Sequence, residues 1–146
     1  MTDSSAIERW ILLVEDNPDD VLLIKRSFDR VGLKHPIHSV SHGEDAIAYL
    51  RGNLPYDNRL NYPLPDLVLL DIKMPGIEGF DVLRWIRHEE QFLHLCVVML
   101  TSSDEMRDVN QAYQLGANSF LVKPLDFWNA AELLGSLDLM LERTQH

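Results

Sequence analysis

The stretch Asp66-Leu-Val-Leu-Leu-Asp-Ile-Lys-Met-Pro-Gly76, DLVLLDIKMPG, decides how this chain is read. Leu67 to Leu70 is an apolar run without alternation. That is the pattern of a strand covered on both faces, and so of a central strand in a parallel sheet flanked by helices. The run stops at an acid. Asp71 falls at the carboxyl edge of the strand, where open α/β sheets gather their ligands, and Pro75-Gly76 turns the chain directly afterwards. For Asp71 taken alone, capping a turn through nearby backbone N–H groups is the plain alternative.

Moving outward, the same pattern recurs. Trp10 to Val14 is a second unalternating apolar run, and it ends in Glu15-Asp16. Asn17-Pro18-Asp19-Asp20 then offers an N-cap, a proline at the first helical position and acids where the helix dipole favours them. Val21, Ile24, Phe28 and Val31 lie on one face of the helix that follows, with Gly32 as its stop. Asp19 and Asp20 read as dipole partners only. Pro36 to Ser41 is a weaker strand suited to an edge, and Gly43 opens a short helix with Ala46, Ile47 and Leu50 inward. Residues 51–65, RGNLPYDNRLNYPLP, have neither period and read as a long loop, either a binding or packing surface or a tolerated insertion, with Tyr56, Leu60 and Tyr62 as candidate anchors.

Beyond the central strand, Gly79 to Glu89 has Phe80, Leu83 and Ile86 at helical core spacing. Leu95 to Leu100 is another buried strand, and it ends in Thr101-Ser102-Ser103; Asp104 and Glu105 start a helix that Gly116 ends. Asn118 to Val122 is the last strand, finished by Lys123-Pro124, and a final helix is expected from about Asp126 to Arg143. Five repetitions of strand then helix, (βα)5, point to an α/β fold with a parallel sheet between helices. At this size the expectation is the flavodoxin-like, doubly wound five-stranded sheet of strand order 2-1-3-4-5. Its crevice would collect Glu15, Asp16, Asp71, Thr101 and Lys123.

Composition limits what such a crevice serves. A chain of 146 residues is one domain, expected here as a single unit over 1–146 with its core at about 10–143 and no output domain. Thirteen Lys and Arg against 23 Asp and Glu give a net charge of −10, which repels nucleic-acid phosphates and anionic lipid and argues against both as partners. The single cysteine, Cys96, forms no internal disulfide and suits a reducing cytoplasm. MTDSSAIER lacks the basic-then-apolar pattern of a leader, and no apolar run is long enough to span a bilayer.

Three carboxylates held together repel one another unless one keeps a proton or a cation sits among them. Mg2+ fits oxygen ligands of this kind and is commonly bound by one or two carboxylates together with a phosphate oxygen. A phosphoryl group on Asp71 would place charge on oxygens that the cation, the Lys123 ammonium and the Thr101 hydroxyl could share. No GxxxxGK[ST] loop is present, so the donor would be another phosphorylated molecule rather than bound ATP. The six histidines show no ligand spacing for a zinc site.

The acidic pair, the Asp followed by MPG, the Thr-Ser and the Lys-Pro together resemble the receiver domain of two-component response regulators, over nearly the whole chain from Trp10 to the last helix. That resemblance implies Asp71 as phosphoacceptor, Asp16 as a direct magnesium ligand and Glu15 as a ligand through water. It implies the backbone carbonyl of Lys73 as the remaining protein ligand, with Thr101 and Lys123 on the phosphoryl oxygens. It further implies a switch in which the Thr101 hydroxyl moves inward and Phe120 rotates, the alternative for Phe120 being plain core packing. Such a protein is a phosphoacceptor that supports its own phosphotransfer and dephosphorylation rather than an enzyme. Its partners would be a sensor histidine kinase and a downstream protein target. The EDNPxD opening and the Pro-rich insertion before the central strand are similar to the single-domain regulators of bacterial phytochromes. A phosphorelay intermediate or a chemotaxis-type regulator with a different kinase is the alternative within the family. Leu133, Leu137 and Met140 lie on a different face of the last helix from Ala131, Leu134 and Leu141, and that surplus apolar surface suggests either a homodimer through the last strand and its flanking helices or a helix set deep in the core.

Two rivals fit less well. An aspartate-nucleophile phosphatase typically carries a second acid two residues after its nucleophile, where this chain has Lys73. A flavin module of the same fold would want hydroxyls and glycines after the first strand, where this chain has EDNPDD.

Overall fold

The computed structural model describes residues 9–30, 36–102, 106–124, 129–133 and 135–136. Five strands, β1 (Ile11–Val14), β2 (Ile37–Val40), β3 (Leu67–Asp71), β4 (Cys96–Thr101) and β5 (Ser119–Val122), form one parallel sheet in the order β2-β1-β3-β4-β5. This is the flavodoxin-like order expected from the sequence, with β3 at the centre. Four helices alternate with the strands: α1 (Pro18–Arg30), α2 (Gly43–Arg51), α3 (Gly79–His88) and α4 (Met106–Gln114). A short 3-10 turn, Glu90–Phe92, follows α3. Of the last helix, residues 129–133 and 135–136 are described and helical; the rest of the expected span lies outside the described residues, as do Gly32, Asp104 and Glu105.

Side chains alternate across each strand, so every central strand feeds two cores. Leu12, Val14, Val68, Leu70, Val97 and Met99 pack on one face with Ala46 and Leu50 of α2 and Leu83 and Ile86 of α3. Ile11, Leu13, Leu67, Leu69, Val98 and Leu100 pack on the other with Ile24 and Phe28 of α1 and with Ala130 and Leu133. Burial on both faces is why these strands read as continuous apolar runs. In the last helix it is therefore Ala130 and Leu133 that meet the core, while Leu134, Leu137, Met140 and Leu141, on which the dimer expectation leans, lie outside the described residues.

Local chemistry sets the element ends. Asn17 caps α1: its Oδ1 accepts from the backbone N–H of Asp19 at 2.9 Å and of Asp20 at 3.4 Å. Gly116 follows α4 with a φ of +101°, a conformation that favours glycine. Gly79 starts α3 against the end of β3, and a Cβ there would collide with the Asp71 carbonyl oxygen. Only a glycine lets the helix approach that strand end so closely.

The segment 51–65 is irregular, as its composition suggests, but it is tightly held. Arg59 donates to the carbonyls of Tyr49 at 2.9 Å, Leu50 at 2.9 Å and Tyr62 at 3.1 Å, so its guanidinium caps the carboxyl end of α2. Tyr56 and Tyr62 pack with Tyr49 and with His38 of β2, and the Tyr49 hydroxyl donates to Pro63 O at 2.8 Å. Leu60 corrects the sequence expectation: it is 91 % exposed and anchors nothing. The chain turns there around Asn58, whose side chain accepts from Leu60 N at 2.9 Å and whose carbonyl accepts from Asn61 and Tyr62, leaving Leu60 at the tip.

Candidate functional site

Parallel strands in register bring their carboxyl ends level. Val14 lies beside Leu70, Asp71 beside Leu100, and Thr101 beside Val122. The residues that follow or end these strands therefore share one edge. Glu15, Asp16 and Asp71 each place a carboxylate oxygen within 4.8 Å of the others. Glu15 and Asp71 are 2 % and 4 % exposed, while Asp16 is half-buried. Lys123 reaches in from beyond β5, its Nζ donating to Glu15 Oε1 at 2.8 Å, to Asp20 Oδ2 at 3.0 Å and to Asp71 Oδ2 at 3.4 Å.

Backbone groups complete the frame. Asn17 N–H donates to Glu15 Oε2 at 3.2 Å, and the Lys73 N–H donates to the Asp71 carboxylate. Ile72 N–H donates to Leu100 O at 2.9 Å and Lys123 N–H to Thr101 O at 2.7 Å, tying the neighbouring strand ends together. The Lys73 side chain is exposed. Thr101 is buried at the end of β4. Phe120 is half-buried on β5, meets Tyr113 edge-on with ring centroids 6.0 Å apart and packs against the core shared with α2 and α3.

Burial governs the protonation of the acids. Removal from water pushes Glu15 up to about 7; the charge of Asp71 adds to this, and hydrogen bonds from Lys123 and the Asn17 N–H only partly oppose it. Asp71 is raised for the same reason, burial outweighing the Lys123 charge and the hydrogen bonds from Glu15, Lys123 and Lys73. Burial also works against the Lys123 ammonium. Its hydrogen bonds to Glu15 and Asp20 and the charge of Asp71 nevertheless hold it above the ordinary lysine value. One hydrogen bond thus has different outcomes at its two ends: it keeps the proton on Lys123, whereas on Glu15 it is overridden by burial. The acids carry more negative charge than one ammonium can balance.

The donor set suits a divalent cation. Three carboxylates with closely spaced oxygens are hard ligands, and a second positive charge among them would relieve their repulsion. Of the site residues expected from sequence, Glu15, Asp16, Asp71 and Lys123 come together directly and Thr101 lies buried on the adjacent strand end, while the contact of Lys73 with the site is through its N–H to Asp71 and not through the carbonyl expected as a metal ligand. Asp20 corrects the reading of it as a dipole partner alone, because it shares the Lys123 ammonium.

Comparison with known proteins agrees with this arrangement. A family model described as "Response regulator receiver domain" matches residues 11–135. The chain is 39 % identical over 117 residues to the probable methanogenesis regulatory protein FilR2 of Methanothrix harundinacea, covering 80 % of this chain and 73 % of that one. It is 33 % identical over 123 residues to the response regulator Rcp1 of Synechocystis sp., covering 84 % and 82 %. Among solved structures, the bacteriophytochrome response regulator RtBRR has a TM-score of 0.80 at 35 % identity, over 90 % of this chain and 78 % of that one. The Mn(2+)-bound form of Rcp1 has a TM-score of 0.74 at 29 % identity, over 89 % and 91 %.

Proposed function

Because the chain belongs to the response regulator receiver family, we propose that it accepts a phosphoryl group from a sensor histidine kinase onto Asp71, in a Mg2+-dependent reaction, and signals by phosphorylation-dependent protein–protein interaction. The observation that carries this reading is the Lys123 ammonium reaching both Glu15 and Asp71 at the buried end of β3.

In the transfer, an oxygen of Asp71 attacks the phosphorus of the donor's phosphoimidazole. The P–N bond breaks, the imidazole leaves with the electron pair, and Asp71 becomes an acyl phosphate. Glu15, Asp16, Asp71 and the backbone carbonyl of Lys73 would hold Mg2+, which when bound neutralises charge on the phosphoryl oxygens. Lys123 moves with those oxygens, the Thr101 hydroxyl donates to one of them, and Phe120 follows Thr101 by rotating. Asp71 is consumed until the acyl phosphate hydrolyses, so the protein acts as an acceptor in a signalling cycle rather than as a turnover enzyme.

The relatives named for phytochrome signalling support a bacterial phytochrome as the class of kinase, and a single buried thiol is compatible with the cytoplasm. The test is incubation with Mg2+ and acetyl phosphate followed by intact mass measurement. The wild type gains one phosphoryl mass and Asp71→Asn gains none. A wild type that stays unmodified, or an Asp71→Asn protein that gains the same mass, overturns the assignment.

A further inference from the structure

Asp20 is joined to the site by a contact that an acceptor carboxylate, its metal ligands and its lysine do not require. It stands in the first turn of α1 with its side chain 28 % exposed, and its Oδ2 takes a hydrogen bond from Lys123 Nζ at 3.0 Å. That contact is nearly as short as the 2.8 Å to Glu15 and shorter than the 3.4 Å to Asp71. An ammonium has three N–H donors, and here three carboxylates share them. The two shorter contacts, to Glu15 and Asp20, place the ammonium nearer to those acids than to Asp71.

The geometry points to Asp20 as a positioning residue: together with Glu15 it holds the Lys123 ammonium toward α1, with its longest contact going to Asp71, and so leaves the Asp71 carboxylate more open to a divalent cation until a phosphoryl group arrives. The inference rests on the phosphoacceptor reading of Asp71, yet metal binding decides it without any phosphorylation. Without the Asp20 charge, the ammonium concentrates on the two acids whose oxygens the cation would use. Two cations then compete for the same ligands, and metal affinity falls. Once metal saturates the site, the same release has the opposite effect, because a freed ammonium reaches the phosphoryl oxygens sooner. Weaker metal binding with faster loading is a signature that a damaged α1 would not give, since damage depresses both.

Asp20 could instead act on the cation through its own charge. That effect would persist when Lys123 is gone, so a double-mutant cycle separates the two. Mg2+ is titrated calorimetrically into wild type, Asp20→Asn, Lys123→Gln and the double variant. Asp20→Asn weakens Mg2+ binding by about threefold to fivefold when Lys123 is present, the scale of a partly exposed ion pair. In the Lys123→Gln background the loss shrinks to less than about 1.5-fold. Equal losses in the two backgrounds, or no loss in the single variant, overturn the proposal. At saturating Mg2+, Asp20→Asn also gains phosphoryl mass from acetyl phosphate faster than wild type, and a slower gain counts against the proposal in the same way. If the wild type takes no phosphoryl group at all, the reading of Asp71 fails while the calorimetry still decides the role of Asp20.

Discussion

The Lys123 ammonium faces Glu15, Asp20 and Asp71 at once, and the surplus of negative charge left there is what prepares the site for further cations. Elsewhere burial discourages a side chain from taking up a charge. Burial, helped by the charge of Lys25, holds His38 below the ordinary value of 6.5, and its surroundings are the rings of Tyr49, Tyr56 and Tyr62. With the folded value below the unfolded one, the unfolded chain binds more protons in that window. The contribution of His38 is therefore complete above 6.5 and is lost as pH falls toward the folded value. We expect the urea midpoint of wild type to fall more steeply than that of His38→Gln between about pH 7.5 and 5.5, and parallel pH profiles would refute this. At this scale the sequence was generous wherever a residue's place followed from a strand end, as for Glu15, Asp16, Asp71, Thr101 and Lys123. It was silent where a side chain reaches across the fold. Nothing in EDNPDD says that its last acid meets a lysine 103 positions later, because that meeting depends on how α1 and β5 are packed.

Helices in this molecule are finished by distant arginines as well as by their own ends. Arg59 closes α2 from within the 51–65 loop, and Arg87 of α3 donates to Gly116 O at 2.8 Å, Phe92 O at 3.1 Å and Asn118 Oδ1 at 2.9 Å. The same Asn118 oxygen accepts from Val97 N at 2.8 Å, so α3, β4 and the entry to β5 are fastened at one point. Removing a guanidinium that serves carbonyls in this way leaves acceptors unsatisfied. We expect Arg59→Ala to lower stability by about 2 kcal/mol in urea unfolding, the scale of charge-assisted hydrogen bonds, and Arg59→Lys to recover little of it because an ammonium lacks the planar fork. A loss within about 0.5 kcal/mol for Arg59→Ala would show that the loop is held by its tyrosines alone. The sequence reading placed every described strand within a residue or two because apolar runs and their turn residues are local signals. It recognised residues 51–65 as irregular but could not see their order, since prolines and asparagines say where regular structure stops and not what the loop packs against. Choosing Leu60 as an anchor followed from its apolarity; the Asn58 turn, which turns it outward, has no periodic signature.

For the whole molecule, a ligand that binds only the folded chain adds its binding free energy to stability. At Mg2+ a hundredfold above its dissociation constant the gain is about 2.7 kcal/mol, which EDTA should remove. Urea midpoints with and without the metal test this: wild type shifts, Asp16→Asn shifts far less, and an unmoved wild type would dismiss the metal site. The architecture itself was legible almost entirely, because five repeats of one local pattern leave a doubly wound sheet as the natural solution. One further consequence follows from Cys96, which opens β4 at the amino edge of the sheet, 4 % exposed and with burial pushing its thiol up to about 11. An alkylating reagent can reach that sulfur only when the strands part, so the pace of labelling is a stopwatch for the breathing of the entire sheet. Any occupant of the opposite rim would slow that clock without ever approaching the sulfur.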